Sequence, residues 1–138
     1  MENKEPVLGR EVAEAEFDRF CDDMDIDTNI EKMDEDDAKG FNTQKELLIA
    51  AFMDGRLSLN DDSEPVYKPK RKGFDTPLTF REPSGADQMA MDRKKSGQDV
   101  GKMFSMMDSV TKSVPGTCSK LKGPDLKVAQ AIMFLFMG

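Results

Sequence analysis

The stretch GRLSLNDDSEPVYKP, residues 55–69, decides the fold, because here the apolar period changes from helical to alternating. Leu57 and Leu59 alternate with Ser58 and Asn60, Asp61 to Pro65 is turn chemistry, and Val66-Tyr67 resumes the apolar pattern. Such a pattern predicts a β-hairpin. Pro65 and Pro69 cannot donate ladder hydrogen bonds, so the second strand is expected to be short or to lie on an edge. Downstream, Leu78-Thr79-Phe80-Arg81 reads as a third strand ended by Pro83. The result is a small antiparallel sheet in mid-chain.

Upstream of the hairpin the pattern is helical. Val12, Ala15, Phe17, Phe20, Cys21 and Met24 recur at helical spacing within Glu11 to Met24, with acids on the opposite face. The densely acidic run Asp22 to Asp37 reads as a loop or short turn. A second helix is expected from about Asp34 to Asp54, where Phe41, Leu47, Leu48, Ala51 and Phe52 keep the period. The acids Asp34 to Asp37 suit its N-terminus, and Gly55 stands where a helix-terminating glycine belongs.

Downstream of the sheet, Ser84 can cap a helix with Asp87 in its first turn, and Gly97 is expected to separate that helix from a longer one. The longer one carries the stripe Val100, Met103, Phe104, Met107 and Val110, and Pro115-Gly116 ends it. Pro124 suits the first turn of a last helix, in which Leu126, Val128, Ala129, Ile132, Met133, Leu135 and Phe136 are apolar on more than one side. A helix of that kind must be covered by something. The fold class expected is therefore α+β, mainly helical with a hairpin plus third strand. An acidic helical segment (1–54) would precede the sheet and C-terminal helices (55–138) within one compact domain of ordinary size.

Composition narrows the chemistry. Hydrophobic residues are 38% and charged residues 34%, against roughly 45–50% and about 25% in a typical globular domain; the core is therefore expected to be modest. The chain has no histidine, which removes the commonest general base and metal ligand and excludes Ser-His and Cys-His triads. Cys21 and Cys118 form no paired motif and are expected to be reduced, partly buried thiols. No secretory signal is visible, and the apolar run Ala129 to Met137 is far short of the roughly 20 residues a membrane span needs. Neither a cofactor nor a catalytic residue is expected.

Charge is unevenly distributed. Residues 1–46 hold 16 acidic against 6 basic residues, and residues 47–138 hold 11 against 14, giving −7 in all. That overall sign disfavours nucleic-acid binding, which neutralises phosphates with Lys and Arg. The run Lys68, Lys70, Arg71, Lys72 is expected to be a solvated connector. Asp23-x-Asp25-x-Asp27-x-Asn29, with Asp34 eleven residues after Asp23, has the oxygen spacing of a calcium loop. Thr28, where the sharp turn calls for glycine, and Asp34, where a bidentate Glu closes the loop, favour a solvated acidic loop instead.

Eleven methionines, several on the last two helices, point to an adaptable apolar surface as well as to core filling. The expected contact surface is Met103, Phe104, Met107, Ile132, Met133 and Phe136. Function is thus expected to reside in binding another protein through apolar helix faces.

Three segments strengthen and specify that expectation. Leu78-Thr79-Phe80-Arg81-Glu82-Pro83-Ser84-Gly85-Ala86-Asp87, with Met89-Ala90-Met91-Asp92 behind it, resembles the signature of bacteriophage tail assembly chaperones, where a strand enters a Glu-Pro-Thr/Ser-Gly turn and then a helix. The hairpin Gly55 to Pro69 fits the strand pair before that signature. The stretch Asp125 to Gly138 is similar to the helix with which such proteins end. The resemblance covers about residues 40–138. It implies a cytoplasmic, non-enzymatic protein of long-tailed phages that binds the tape measure protein, keeps it soluble and helps recruit tail tube subunits. A homo-oligomer through the last helix is compatible with the same pattern. The rival reading is a tail terminator or head-tail connector retained in the virion.

Overall fold

A computed structural model describes residues 7–70, 74, 76–92 and 99–137. Helix α1 spans Arg10–Asp23, α2 Glu35–Met53, α3 Gly85–Asp92, α4 Asp99–Val110 and α5 Gly123–Met137. Strands β1 (Leu57–Leu59), β2 (Pro65–Tyr67) and β3 (Leu78–Thr79) form an antiparallel sheet between α2 and α3 in chain order. The fold is α+β and mainly helical, as the periodicity predicts. Gly97, Arg71 and Lys72 lie outside the described residues.

Three helices end in the same way, and each ending is legible in its hydrogen bonds. After α1, Ile26 N–H donates to the Cys21 carbonyl and Asp25 N–H to that of Asp22, with Asp25 at φ +54°. After α2, Arg56 N–H reaches Ala51 and Gly55 N–H reaches Phe52, with Gly55 at φ +77°. After α4, Ser113 N–H reaches Asp108 and Lys112 N–H reaches Ser109, with Lys112 at φ +55°. This left-handed stop satisfies the otherwise orphaned last carbonyls. Only the second uses glycine, so only the second is readable from sequence. At the start of α2, Asp34 caps the helix by accepting from the Asp37 N–H at 2.8 Å, in addition to the negative charge that the acidic run is expected to place there.

The hairpin pairs Leu57 with Tyr67 and Leu59 with Pro65. Tyr67 and Val66 then face Leu78 and Thr79 of β3 on the other side. The strand order β1-β2-β3 places β2 in the centre, and of the two expected alternatives, short or on an edge, the strand is short, at three residues. Pro65 is tolerated there because it opens the strand, and its carbonyl still accepts from Phe80 N–H at 2.8 Å.

The core gathers Phe17, Phe20 and Cys21 of α1, Leu48, Ile49 and Phe52 of α2, Leu57, Tyr67 and Phe80 of the sheet region, Met106, Met107 and Val110 of α4, and Ala129 and Ile132 of α5. Helix α5 packs along α2, α1 also packs on α2, and α4 packs on α3. On α1 the buried stripe runs through Ala13, Phe17, Phe20 and Cys21. Val12, 51% exposed, and Ala15 face solvent, so the expected stripe is rotated at its N-terminal end. A small residue at 13 lets α1 approach its neighbours where a larger side chain would not fit.

Candidate functional site

Two buried carboxylates hold the C-terminal helices in place. Asp87, 2% exposed, accepts from Ser84 N–H at 2.8 Å and from the Ser84 hydroxyl at 3.1 Å, so the expected cap partners do meet. It also accepts a hydrogen bond from the Ser109 hydroxyl of α4 and pairs with Arg81 Nη2 at 3.5 Å. Arg81 in turn donates to the Ser109 carbonyl at 2.8 Å. One carboxylate thus ties the end of the third strand, the start of α3 and the end of α4 together. Burial pushes its pKa up, but the hydroxyl, amide and guanidinium partners outweigh burial and hold it below the ordinary carboxylate value.

Asp125, 1% exposed, does the same for α5: its Oδ1 accepts from the Tyr67 hydroxyl at 2.6 Å and from Lys70 N–H at 2.9 Å. Burial first, then the Asp125 carboxylate, raises the Tyr67 pKa, so the phenol stays protonated as a donor. Both carboxylates act as structural ties between chain segments.

With α5 held along α2 and α4 held on α3, an open groove of about 770 Å³ remains between α2, α4 and α5. Leu47, Met103, Met106, Met133, Phe134 and Met137 give it apolar walls. Phe134 and Met137 are 42% and 48% exposed, large apolar side chains that solvent would otherwise disfavour. Phe134 and Met137 also border a second groove, of about 700 Å³, with Met24, Ile26, Met33 and Phe41 on its apolar side.

The six residues expected to contact a partner separate into distinct environments. Met107 and Ile132 are fully buried core residues, out of reach of a partner docking on the folded protein, and their place in the expected contact surface is corrected accordingly. Met103 and Met133 line the first groove, though Met133 is only 3% exposed. Phe136 lines the second groove and meets the Phe20 ring edge-on, with centroids 5.5 Å apart. Phe104 is half-buried against the core and lines neither groove. Sequence reading misses Leu47, Met106, Phe134 and Met137 as groove residues. The spacing of Gln130, Phe134 and Met137 along one side of α5 is the available signal, masked by apolar residues on the other sides.

The acidic run between α1 and α2 is spent on its own backbone. Asp25 takes the left-handed position after α1, Asp27 accepts from Asn29 N–H at 2.9 Å, Asn29 accepts from Glu31 N–H at 3.2 Å, and Asp34 caps α2. Asp23 turns away to accept from the Ser63 hydroxyl. Among the described residues no group of three or more Cys, Asp or Glu is placed to hold a metal ion. Both thiols are buried, and burial pushes Cys21 and Cys118 up to about 12, with Asp18 and Asp22 adding to it at Cys21 and Asp108 at Cys118. A thiol in that state is a poor nucleophile. No described helix is long and apolar enough to cross a membrane. Comparison with family models, with curated proteins and with solved structures finds no match to the chain.

Proposed function

We propose that the protein is a tail assembly chaperone of long-tailed phages, acting by binding and not by catalysis. It shelters an apolar helix of the tape measure protein in the groove between α2, α4 and α5 and presents the complex to tail tube subunits in the host cytoplasm. The observation that carries this reading is the groove itself, walled by Leu47, Met103, Met106, Phe134 and Met137 in a charge-rich chain. A client helix laid there would remove its own apolar stripe and the exposed groove side chains, chiefly Phe134 and Met137, from water together. Flexible thioethers adapt to successive stretches of a long client. The likeness of residues 78–92 to the chaperone signature supports the name, and net charge −7 would keep the complex dispersed.

The test is co-expression with the tape measure protein of the same phage. The client should become soluble and co-purify, and Phe134→Ser with Met137→Ser should abolish both effects while the chaperone stays folded. A client that remains insoluble and does not co-purify refutes the reading. Mass spectrometry of finished particles separates it from a terminator or connector, since a chaperone should be absent from them.

A further inference from the structure

The two grooves that meet at Phe134 and Met137 carry opposite charge. Among the described residues, the charged lining of the first is Lys102 and Lys127, without an Asp or Glu. That of the second is Asp25, Asp27, Asp37 and Glu82, without a Lys or Arg. A purely basic lining runs against the sign of the chain as a whole, −7. The apolar side chains are continuous across the junction, because Phe134 and Met137 belong to both linings and stand exposed.

We infer that this continuous surface takes an amphipathic α-helix of another protein whose apolar stripe is bordered by acidic residues along one part and by basic residues along the next. The inference rests on the client-binding reading above and adds the charge order of the client. Along α5 the first groove runs from Lys127 to Met137, about 15 Å at the helical rise, or roughly three turns of a docked helix. Lysine stems can lie along the apolar wall while the ammonium groups reach the client's flank. A uniformly acidic helix would meet Asp25, Asp27, Asp37 and Glu82, and a uniformly basic one Lys102 and Lys127. Rim charges of this kind contribute selection and encounter rate, while the apolar contact supplies affinity.

Three synthetic helical peptides with one Leu/Met stripe test the inference on the full chain. One carries Glu flanks in one half and Lys flanks in the other, one carries Glu throughout, and one Lys throughout. Fluorescence anisotropy at low salt should show the segregated peptide binding about tenfold or more tighter than the other two, a margin that shrinks in high salt. The double variant Lys102→Glu/Lys127→Glu, with circular dichroism unchanged, should reverse the order in favour of the all-Lys peptide. Equal affinities for the three peptides, or an order unaltered in the double variant, would overturn the inference, as would peptides excluded because a second copy fills the groove. A tape measure protein that co-purifies equally with wild type and double variant sinks the charge order alone. One that never becomes soluble sinks the chaperone reading and leaves the peptide preference standing.

Discussion

Replacing Asp87 by Asn keeps the shape of a buried side chain and removes its charge, so it isolates what the carboxylate contributes to joining β3, α3 and α4. The carboxylate accepts from Ser84 N–H, the Ser84 hydroxyl and the Ser109 hydroxyl, and faces Arg81 at 3.5 Å. An amide keeps one oxygen for the Ser84 N–H, which cannot reverse its role, and turns its NH2 toward the Ser109 hydroxyl, which can. Three charge-assisted hydrogen bonds thus become neutral ones, each loss about 0.5–1 kcal/mol, and the attraction for Arg81 disappears. The sum is about 2–3 kcal/mol. With an unfolding entropy of roughly 2.1 cal/mol/K per residue over 138 residues, Tm should fall by about 7–10 °C.

The same carboxylate gives the variant a pH signature. Its pKa in the folded protein lies below the ordinary value, so its contribution is present above the unfolded pKa of about 3.9 and is lost as pH falls through the folded value. The amide in the Asp87→Asn variant takes up no proton over that range. Melting curves followed by circular dichroism should therefore show the full gap between wild type and Asp87→Asn at pH 7 and a narrowing gap below about pH 4. A variant within about 0.5 kcal/mol of wild type at pH 7, or a gap that widens in acid, would refute the reasoning.

Tyr67→Phe removes the hydroxyl that donates to Asp125 at 2.6 Å; chemical denaturation should show a loss of about 1–3 kcal/mol, and no loss would mean the tie is not needed to seat α5. Ile132→Ala, in the core, should cost about 2–5 kcal/mol, whereas Phe134→Ser, two positions along the same helix and 42% exposed, should lower Tm less than Ile132→Ala while weakening client binding. If both variants destabilise alike, the division between core and groove is wrong. Cys21 and Cys118, pushed up to about 12 by burial, should resist iodoacetamide at pH 8 in the folded protein and react at once in denaturant; rapid labelling of the native chain would contradict their burial.

Local signals carry the elements. Helix α2 is readable at both ends because the acids Asp34 to Asp37 at its start and Gly55 at its end act through neighbours within one turn. The hairpin is readable because the change of period falls beside turn residues that permit little else. The endings of α1 and α4 are not, since Asp25 and Lys112 adopt the left-handed conformation without being glycine. At Asp25, within the apparent calcium loop, the backbone makes a helix stop. Asp87 is legible as a partner of Ser84, three residues away, but not as a partner of Ser109, which reaches it from another helix.

By itself the sequence determined the α+β class, the order of helices and strands, the lack of imidazole chemistry and a last helix apolar on more than one side. Only the tertiary structure decided which apolar residues were spent inside. Met107 and Ile132 went to the core, while Leu47, Met103, Phe134 and Met137 were left along a groove with lysines at one part and carboxylates at the next. The physical reason is that periodicity marks a stripe on a helix, whereas burial depends on which other element covers it. Here α5 is covered by α2 on one side and left open toward α4 on another.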